Sequence, residues 1–144
     1  ISKFIEFTAF PPQAQMDNKQ RPFVIAVFKD SALFMKVKKV YVDKTINEKA
    51  IDIVYYQTLE NYEYSHVFLF SKVEQEELQK ILNKTRDKPV ITIASNSGFA
   101  EKGILINFLN NTTSHTDFEI NETVARKLSI NFDFRLLYIA AKVY

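Results

Sequence analysis

The side chains that could act in catalysis are few and poorly grouped. Ser95 and Ser97, in the sequence Ser-Asn-Ser-Gly, are the best candidates for a nucleophile and follow an apolar stretch. A catalytic serine needs a histidine and a carboxylate beside it, and the strained turn of the hydrolases has the pattern Gly-x-Ser-x-Gly, which the chain lacks. The segment therefore predicts a turn, and we expect a protein that is not an enzyme.

The chain has two histidines, His66 and His115. His115 and Asp117 lie two residues apart on a predicted strand, so they share a face and could bind a metal weakly. Structural zinc sites have four ligands with a recognisable spacing, and catalytic ones have three. The pattern favours ordinary polar side chains at the surface over a metal site. His66 is predicted to be a structural histidine whose ring is hydrogen-bonded.

Cofactor-binding loops are missing from the sequence. The chain has two glycines, Gly98 and Gly103, whereas the phosphate-binding loops of nucleotide and dinucleotide sites need several glycines at fixed offsets. It has no cysteine, which excludes disulfides and thiolate ligands. A phosphoacceptor receiver domain would need a carboxylate after its third strand, where this chain has Phe70-Ser71. No cofactor is expected.

The elements that must position any site alternate between strands and helices. Four apolar runs of strand length precede the C-terminal third. They are residues 23–28, 51–56, 66–70 and 89–94. Runs this continuous are typical of a sheet that is covered on both faces. Helices are predicted at the start of the chain, over 31–40, and from Ser71, where Ser71 and Glu74 form a capping-box pattern.

The C-terminal third adds a different arrangement. Strands over 103–109 and 114–120 flank an Asn110-Asn111-Thr112-Thr113 turn, which predicts an antiparallel hairpin at the edge of the sheet. Asn121 is placed to cap a short helix, and a stripe of Leu136, Leu137, Ala140 and Val143 predicts a second one. The predicted fold is therefore a layered α/β domain over residues 1–144. It has a mostly parallel sheet flanked by helices, a C-terminal antiparallel β-hairpin and two terminal helices.

In folds of this class, ligands bind at the carboxyl ends of the parallel strands, where the loops converge. The side chains that follow the predicted strands form our candidate surface for a ligand or partner. They are Lys29, Asp30, Ser71, Ser95, Asn96 and Phe99. The tyrosines of residues 55–64 either finish a strand and pack a loop or form an interface.

Charge and hydropathy exclude further classes of protein. The 19 basic and 17 acidic residues give a net charge of +2, which is too balanced for a protein that binds nucleic acid. No apolar run approaches the roughly 20 residues of a membrane-spanning helix. The sequence begins at Ile1 without methionine, and we expect that a signal peptide has been removed or trimmed.

Several segments, taken in order, resemble the YfiR family of small periplasmic proteins. The opening aromatic-rich helix ends in Phe10-Pro11, and a buried strand leads into Phe28-Lys29-Asp30. The remaining matches lie closer to the C-terminus: residues 95–99, 103–108 and 118–121, Ala125-Arg126, and Leu136-Leu137-x-x-Ala140. Family members often have Trp-Pro in place of Phe10-Pro11 and Gly-Gly in place of Lys102-Gly103, and some have paired cysteines. A disulfide-based switch therefore cannot be carried over.

The resemblance implies a non-enzymatic regulatory domain in the periplasm. In the family, the best-understood role is repression of a membrane-bound diguanylate cyclase, within cyclic-di-GMP signalling. The implied partners are a membrane-bound sensor or cyclase and a second copy of the chain in a homodimer. The alternative, which rests on the order of elements, is a receptor domain that binds a small ligand in a crevice at the carboxyl ends of the strands.

Overall fold

The computed structural model describes residues 1–110 and 117–144 of the chain. The helices in these residues are α1 (Ser2–Glu6), α2 (Ser31–Val40), α3 (Gln75–Thr85), α4 (Glu122–Lys127) and α5 (Phe134–Ile139), with a short 3-10 turn at Pro12–Ala14. The strands are β1 (Thr8–Ala9), β2 (Phe23–Phe28), β3 (Thr45–Ile46), β4 (Lys49–Tyr56), β5 (Val67–Phe70), β6 (Ile91–Ala94), β7 (Ile106–Phe108), β8 (Phe118–Ile120), β9 (Asn131–Phe132) and β10 (Lys142–Val143).

The main sheet has the strand order β10-β8-β7-β6-β5-β2-β4-β3. Its centre, from β4 through β2, β5 and β6 to β7, is parallel throughout. Numbered along the chain, these five strands have the order 2-1-3-4-5, which is that of a doubly wound sheet. The chain adds β4 on one side of β2 and then crosses to the other side to add β5, β6 and β7. The order in which strands are added therefore reverses between the neighbouring strands β2 and β5. The predicted α/β class and its mostly parallel sheet are confirmed.

The central strands β2, β5 and β6 are buried on both faces, and successive side chains of each strand point to opposite sides. In β2, Ile25 and Val27 face a core that also contains buried residues of α1, α2, α4 and α5. Ala26 and Phe28 face a second core, which Leu78 and Ile81 of α3 complete. The continuous apolar run of β2 thus has the double coverage that the sequence indicated.

The start of α3 differs from the prediction. The capping box expected from Ser71 and Glu74 is wrong, because the helix begins at Gln75 with Glu74 as its N-cap and no side-chain capping bond. Ser71 directly follows β5, and its side chain lies near Asp30, beside the same cavity. The buried face of α3 agrees with the sequence, since Leu78 and Ile81 are fully buried.

At the C-terminus, β7 and β8 form the predicted antiparallel hairpin. Most of its predicted turn, including Asn111, lies outside the described residues. The expectation that this hairpin forms the edge of the sheet is wrong, because β10 pairs in parallel with β8 on its outer side. Asn121 caps α4 as predicted, its Oδ1 accepting from the Val124 N–H at 2.9 Å. The last predicted stripe is too long, since α5 ends at Ile139 and Val143 lies in β10.

Candidate functional site

A cavity of about 260 Å³ lies beside the carboxyl ends of β2, β5 and β6. Three of the six candidate residues line it: Asp30, which follows β2, Ser71, which follows β5, and Ser95, which follows β6. Apolar side chains of Leu33, Leu69, Ile93 and Phe108 contribute to the walls. The doubly wound strand order explains this meeting, because the crevice opens where the order reverses.

Asp30 is held in place by a structural hydrogen bond. Its Oδ1 accepts from the backbone N–H of Leu33 at 2.9 Å, which caps α2. This bond, with smaller contributions from the neighbouring Ser71 side chain and the charge of Lys36, lowers the pKa of Asp30 below its usual value. A carboxylate with a lowered pKa is a weak general base, so Asp30 is poorly suited to activate the Ser71 hydroxyl.

Asn96 directly follows the cavity-lining Ser95. Its side-chain Oδ1 is buried and has no hydrogen-bond partner among the described residues, while its Nδ2 donates to the Val73 carbonyl at 3.5 Å. A buried acceptor without a donor is uncommon in folded proteins and costs free energy. The Oδ1 of Asn96 is therefore an unsatisfied hydrogen-bond acceptor in the residue next to the cavity-lining Ser95.

The other two candidate residues point elsewhere. Lys29 has a positive φ of 54° and forms a salt bridge with Glu77 of α3, beside a separate cavity of about 410 Å³. Phe99 is buried in the core, with its ring centroid 6.2 Å from that of Phe70. The proposal of one surface formed by all six residues therefore narrows to a cavity with two hydroxyls and a carboxylate.

The histidine that the sequence singled out lies at the other end of the strands. His66 Nδ1 accepts from the Val24 N–H at 3.0 Å, and its Nε2 bonds to the Ala14 carbonyl at 2.9 Å. Burial lowers the pKa of His66, so the neutral ring is favoured. These contacts confirm the structural role that was predicted. Residues 1–110 and 117–144 contain no group of three side chains arranged to hold a metal, and His115 lies outside them.

The tyrosines of residues 55–64 were predicted either to pack a strand and a loop or to form an interface, and they differ in their environments. Tyr62 is buried, bonds to the Ser65 hydroxyl at 2.9 Å, and packs edge-on against Phe68. Tyr55 and Tyr56 are partly exposed on β4. Tyr62 therefore belongs to the core, and the interface interpretation applies only to its neighbours.

The family comparison matches residues 1–141 to a model described as YfiR/HmsC-like. The match covers nearly the entire chain, including every strand that contributes to the cavity. The chain belongs to the YfiR/HmsC-like family. The resemblance inferred from the ordered segments is thereby confirmed. A search among curated proteins found no match.

Membership in the YfiR/HmsC-like family supports a general regulatory, non-catalytic role in the periplasm. The geometry agrees with such a role, since the cavity can bind by hydrogen bonds but its carboxylate is poorly suited to act as a base. In the part of the chain that the structure describes, no helix is long and apolar enough to cross a membrane.

Sequence reasoning missed an exposed aromatic face on this YfiR/HmsC-like domain. Phe134, Tyr138 and Ile139 of α5 are 75%, 88% and 65% exposed. Five of the six α5 residues are apolar, yet only Leu136 is buried. The sequence contains a signal that could have identified this face: a short predicted helix that is apolar on nearly all sides and does not follow the pattern of a buried strand.

Proposed function

We propose that this YfiR/HmsC-like domain is a non-enzymatic periplasmic regulator that binds a membrane-bound signalling protein, of the diguanylate-cyclase type known in the family. The observation that supports this most directly is the aromatic face of α5, which we define as Phe134, Tyr138 and Ile139. Exposed aromatic side chains are enriched in protein interfaces, because each buries a large rigid surface at low entropic cost.

The aromatic face is held firmly by the rest of the fold. Leu136 of the same helix is 3% exposed and joins the core. The start of α5 is fixed by Asp133, whose Oδ1 accepts from the Arg135 N–H at 2.9 Å, and the Arg135 guanidinium lies 4.6 Å from the centre of the Phe7 ring. A helix whose backbone is anchored in this way loses little conformational entropy on binding, which favours affinity.

A binding domain without catalytic groups can still regulate a partner. If the partner exchanges between an active and an inactive state, a domain that binds the inactive state more tightly shifts the balance toward it. Moving a two-state equilibrium from 1:99 to 99:1 takes roughly a 10⁴-fold difference in affinity between the two states. This form of repression needs surface complementarity and no chemistry from the regulator.

The test is a pull-down from detergent-solubilised membranes of the organism that encodes the chain, with the tagged domain as bait. The aromatic face is altered by Phe134→Ser with Tyr138→Ser, and a matched control carries Met35→Ser with Val42→Ser, which are exposed apolar residues elsewhere. We expect the domain and the control to recover a membrane-bound cyclase, and the aromatic variant to lose it. Equal recovery by all three, or recovery of no membrane protein, would contradict the proposal. Light scattering on the purified domain reports whether the face instead joins two copies in a homodimer.

A second function, a receptor domain for a small ligand, is favoured by the cavity that Asp30, Ser71 and Ser95 line. Its size and mixed apolar and polar walls resemble a small binding pocket. A ligand present at 100 times its Kd would stabilise the domain by about 2.7 kcal/mol. A thermal-shift screen of metabolites against the domain and its Ser95→Ala variant tests this. A hit that stabilises both equally does not bind at the predicted cavity.

A further inference from the structure

A second cavity, of about 390 Å³, lies at the opposite end of the strands from the first. His66 precedes β5, Lys49 begins β4 and Val24 lies near the start of β2, so the amino ends of three parallel strands form one side. The loop of residues 13–22, which connects the 3-10 turn to β2, provides the remainder, including Gln15 and Arg21.

Lys49 is an unusual component of this cavity because it is a fully buried lysine. Its exposure is 0%, and its Nζ donates to the backbone carbonyls of Gln15, at 3.1 Å, and of Asn18. Two of its three N–H donors are thus used. It forms no salt bridge with any carboxylate in residues 1–110 or 117–144. A buried ammonium group is costly unless an opposite charge compensates it.

Arg21 brings a second positive charge to the same cavity. The chain has four arginines, and the other three form salt bridges: Arg86 with Asp87, Arg126 with Glu122, and Arg135 with Asp133. Arg21 is exposed and forms no salt bridge with the described part of the chain. The nearby Lys19 and Glu48 pair with each other at the surface, so they leave the charges of the cavity uncompensated.

The other polar groups of the cavity are fixed and neutral. His66 uses both ring nitrogens in backbone hydrogen bonds, and burial together with the charge of Lys49 lowers its pKa. The Tyr64 hydroxyl donates to the Pro89 carbonyl at 3.2 Å, and burial raises the pKa of Tyr64. Among the described residues, none that line this cavity is acidic. Two cations, the exposed Arg21 and the buried Lys49, and no anion therefore belong to the walls of one cavity.

We infer that this amino-end cavity is a binding site for a small organic anion, whose carboxylate or phosphate group binds Arg21 and is attracted by the charge of the buried Lys49, while its apolar part packs on Pro22, Val24 and Tyr64. Oxyanions suit such a site, since a guanidinium group forms charge-assisted hydrogen bonds with them. The volume lies within the range of small-molecule pockets. The site is separate from the α5 face and from the Asp30 cavity, so it stands or falls independently of the proposed function.

The test is an NMR titration of the ¹⁵N-labelled domain, at low salt, with inorganic phosphate, benzoate and the neutral analogue benzamide. We expect saturable shifts of the backbone amides of residues 14–21, 23, 24, 49 and 66 with phosphate or benzoate, and none with benzamide. A stronger response to phosphate would identify a phosphorylated ligand, and a stronger response to benzoate a carboxylic acid. Equal responses to benzoate and benzamide, or anion affinities weaker than roughly 10 mM, would overturn the inference.

Variants distinguish an anion-binding site from a lysine that serves only to stabilise the fold. Arg21→Gln removes an exposed charge and should weaken anion binding by roughly tenfold or more, as expected when a charge-assisted hydrogen bond is lost. Arg126→Gln, the same change on α4, should leave the affinity unchanged. Lys49→Met keeps the apolar stem and should abolish binding in protein whose circular dichroism remains native. Should Arg21→Gln bind the anion as tightly as the unaltered domain, the assignment is wrong, whatever Lys49→Met does to folding.

Discussion

The side-chain amide of Asn107 forms two hydrogen bonds with the backbone of Asn96. Its Oδ1 accepts from the Asn96 N–H at 3.1 Å, and its Nδ2 donates to the Asn96 carbonyl at 2.8 Å. Asn107 is fully buried in β7 and pairs with Ala94, the last residue of β6. The Asn107 amide thus makes the two backbone hydrogen bonds with Asn96 that a neighbouring strand would otherwise make. These bonds hold Ser95 and Asn96 beside the cavity.

Replacing Asn107 with alanine should therefore lower the free energy of unfolding by about 2–3 kcal/mol, because the partly buried N–H and carbonyl of Asn96 lose their partners. Urea denaturation measures the change. Asn83→Ala, an exposed site on α3, is the matched control and should remain within about 0.5 kcal/mol of the unaltered protein. A loss at Asn107 no larger than that of the control would show that the two hydrogen bonds do not hold this segment.

The bond between Asp30 and the backbone N–H of Leu33 predicts an order of effects. Asp30→Ala should cost about 1 kcal/mol of stability, the usual loss for a helix N-cap, and Asp30→Asn should restore most of it. Because the pKa of Asp30 is lowered in the fold, its contribution is present above pH 3.8 and is lost as the pH falls below that value. Urea midpoints at pH 7 and pH 3 measure this, with Asp87→Ala as an exposed control. If Asp30→Ala is as costly at pH 3 as at pH 7, the carboxylate charge plays no part.

His66 should make stability depend on pH in the mildly acidic range. Its pKa is lowered in the fold by burial, whereas the unfolded chain keeps the ordinary value of 6.5. Between those two pKa values the unfolded state binds more protons, so the free energy of unfolding decreases as the pH falls through 6.5. Urea titrations across this range measure the slope.

Single substitutions of the two histidines isolate that slope. His66→Gln keeps a donor and an acceptor but cannot titrate, so it should flatten the pH dependence while lowering stability overall. His115→Gln, at the only other histidine of the chain, should leave the slope in place. A slope that disappears with His115→Gln and remains with His66→Gln would reverse the assignment.

The sequence was sufficient for the central sheet, because long apolar runs such as residues 23–28 report burial on both faces directly. It was not sufficient for elements whose pairing depends on distant parts of the chain. β9 pairs with β1, and β10 with β8, and each of β1, β9 and β10 is two residues long. Such short strands leave no periodic pattern.

The same limit applies to the candidate sites. Asp30, Ser71 and Ser95 were found because each follows a strand whose direction the sequence indicates. Lys49 was missed, because a lysine after Asn47-Glu48 reads as part of a polar turn, and its burial arises from the loop of residues 13–22. The start of α3 was misplaced for a related reason. Ser71 has the right spacing for a cap, but it lies at the end of β5 beside a residue 41 positions earlier, and α3 begins only after Glu74.

The aromatic face of α5 should contribute to binding and very little to folding. Phe134→Ser with Tyr138→Ser should change the free energy of unfolding by less than about 0.5 kcal/mol per site, as is usual at exposed positions. Leu136→Ala, on the buried side of the same helix, should cost about 2–5 kcal/mol. Urea denaturation of both variants gives the comparison. Exposed aromatic residues that add nothing to stability need another reason to be on the surface, and binding a partner provides one. A loss in the aromatic variant as large as that of Leu136→Ala would instead assign the face to the core and remove the main support for the proposed partner surface.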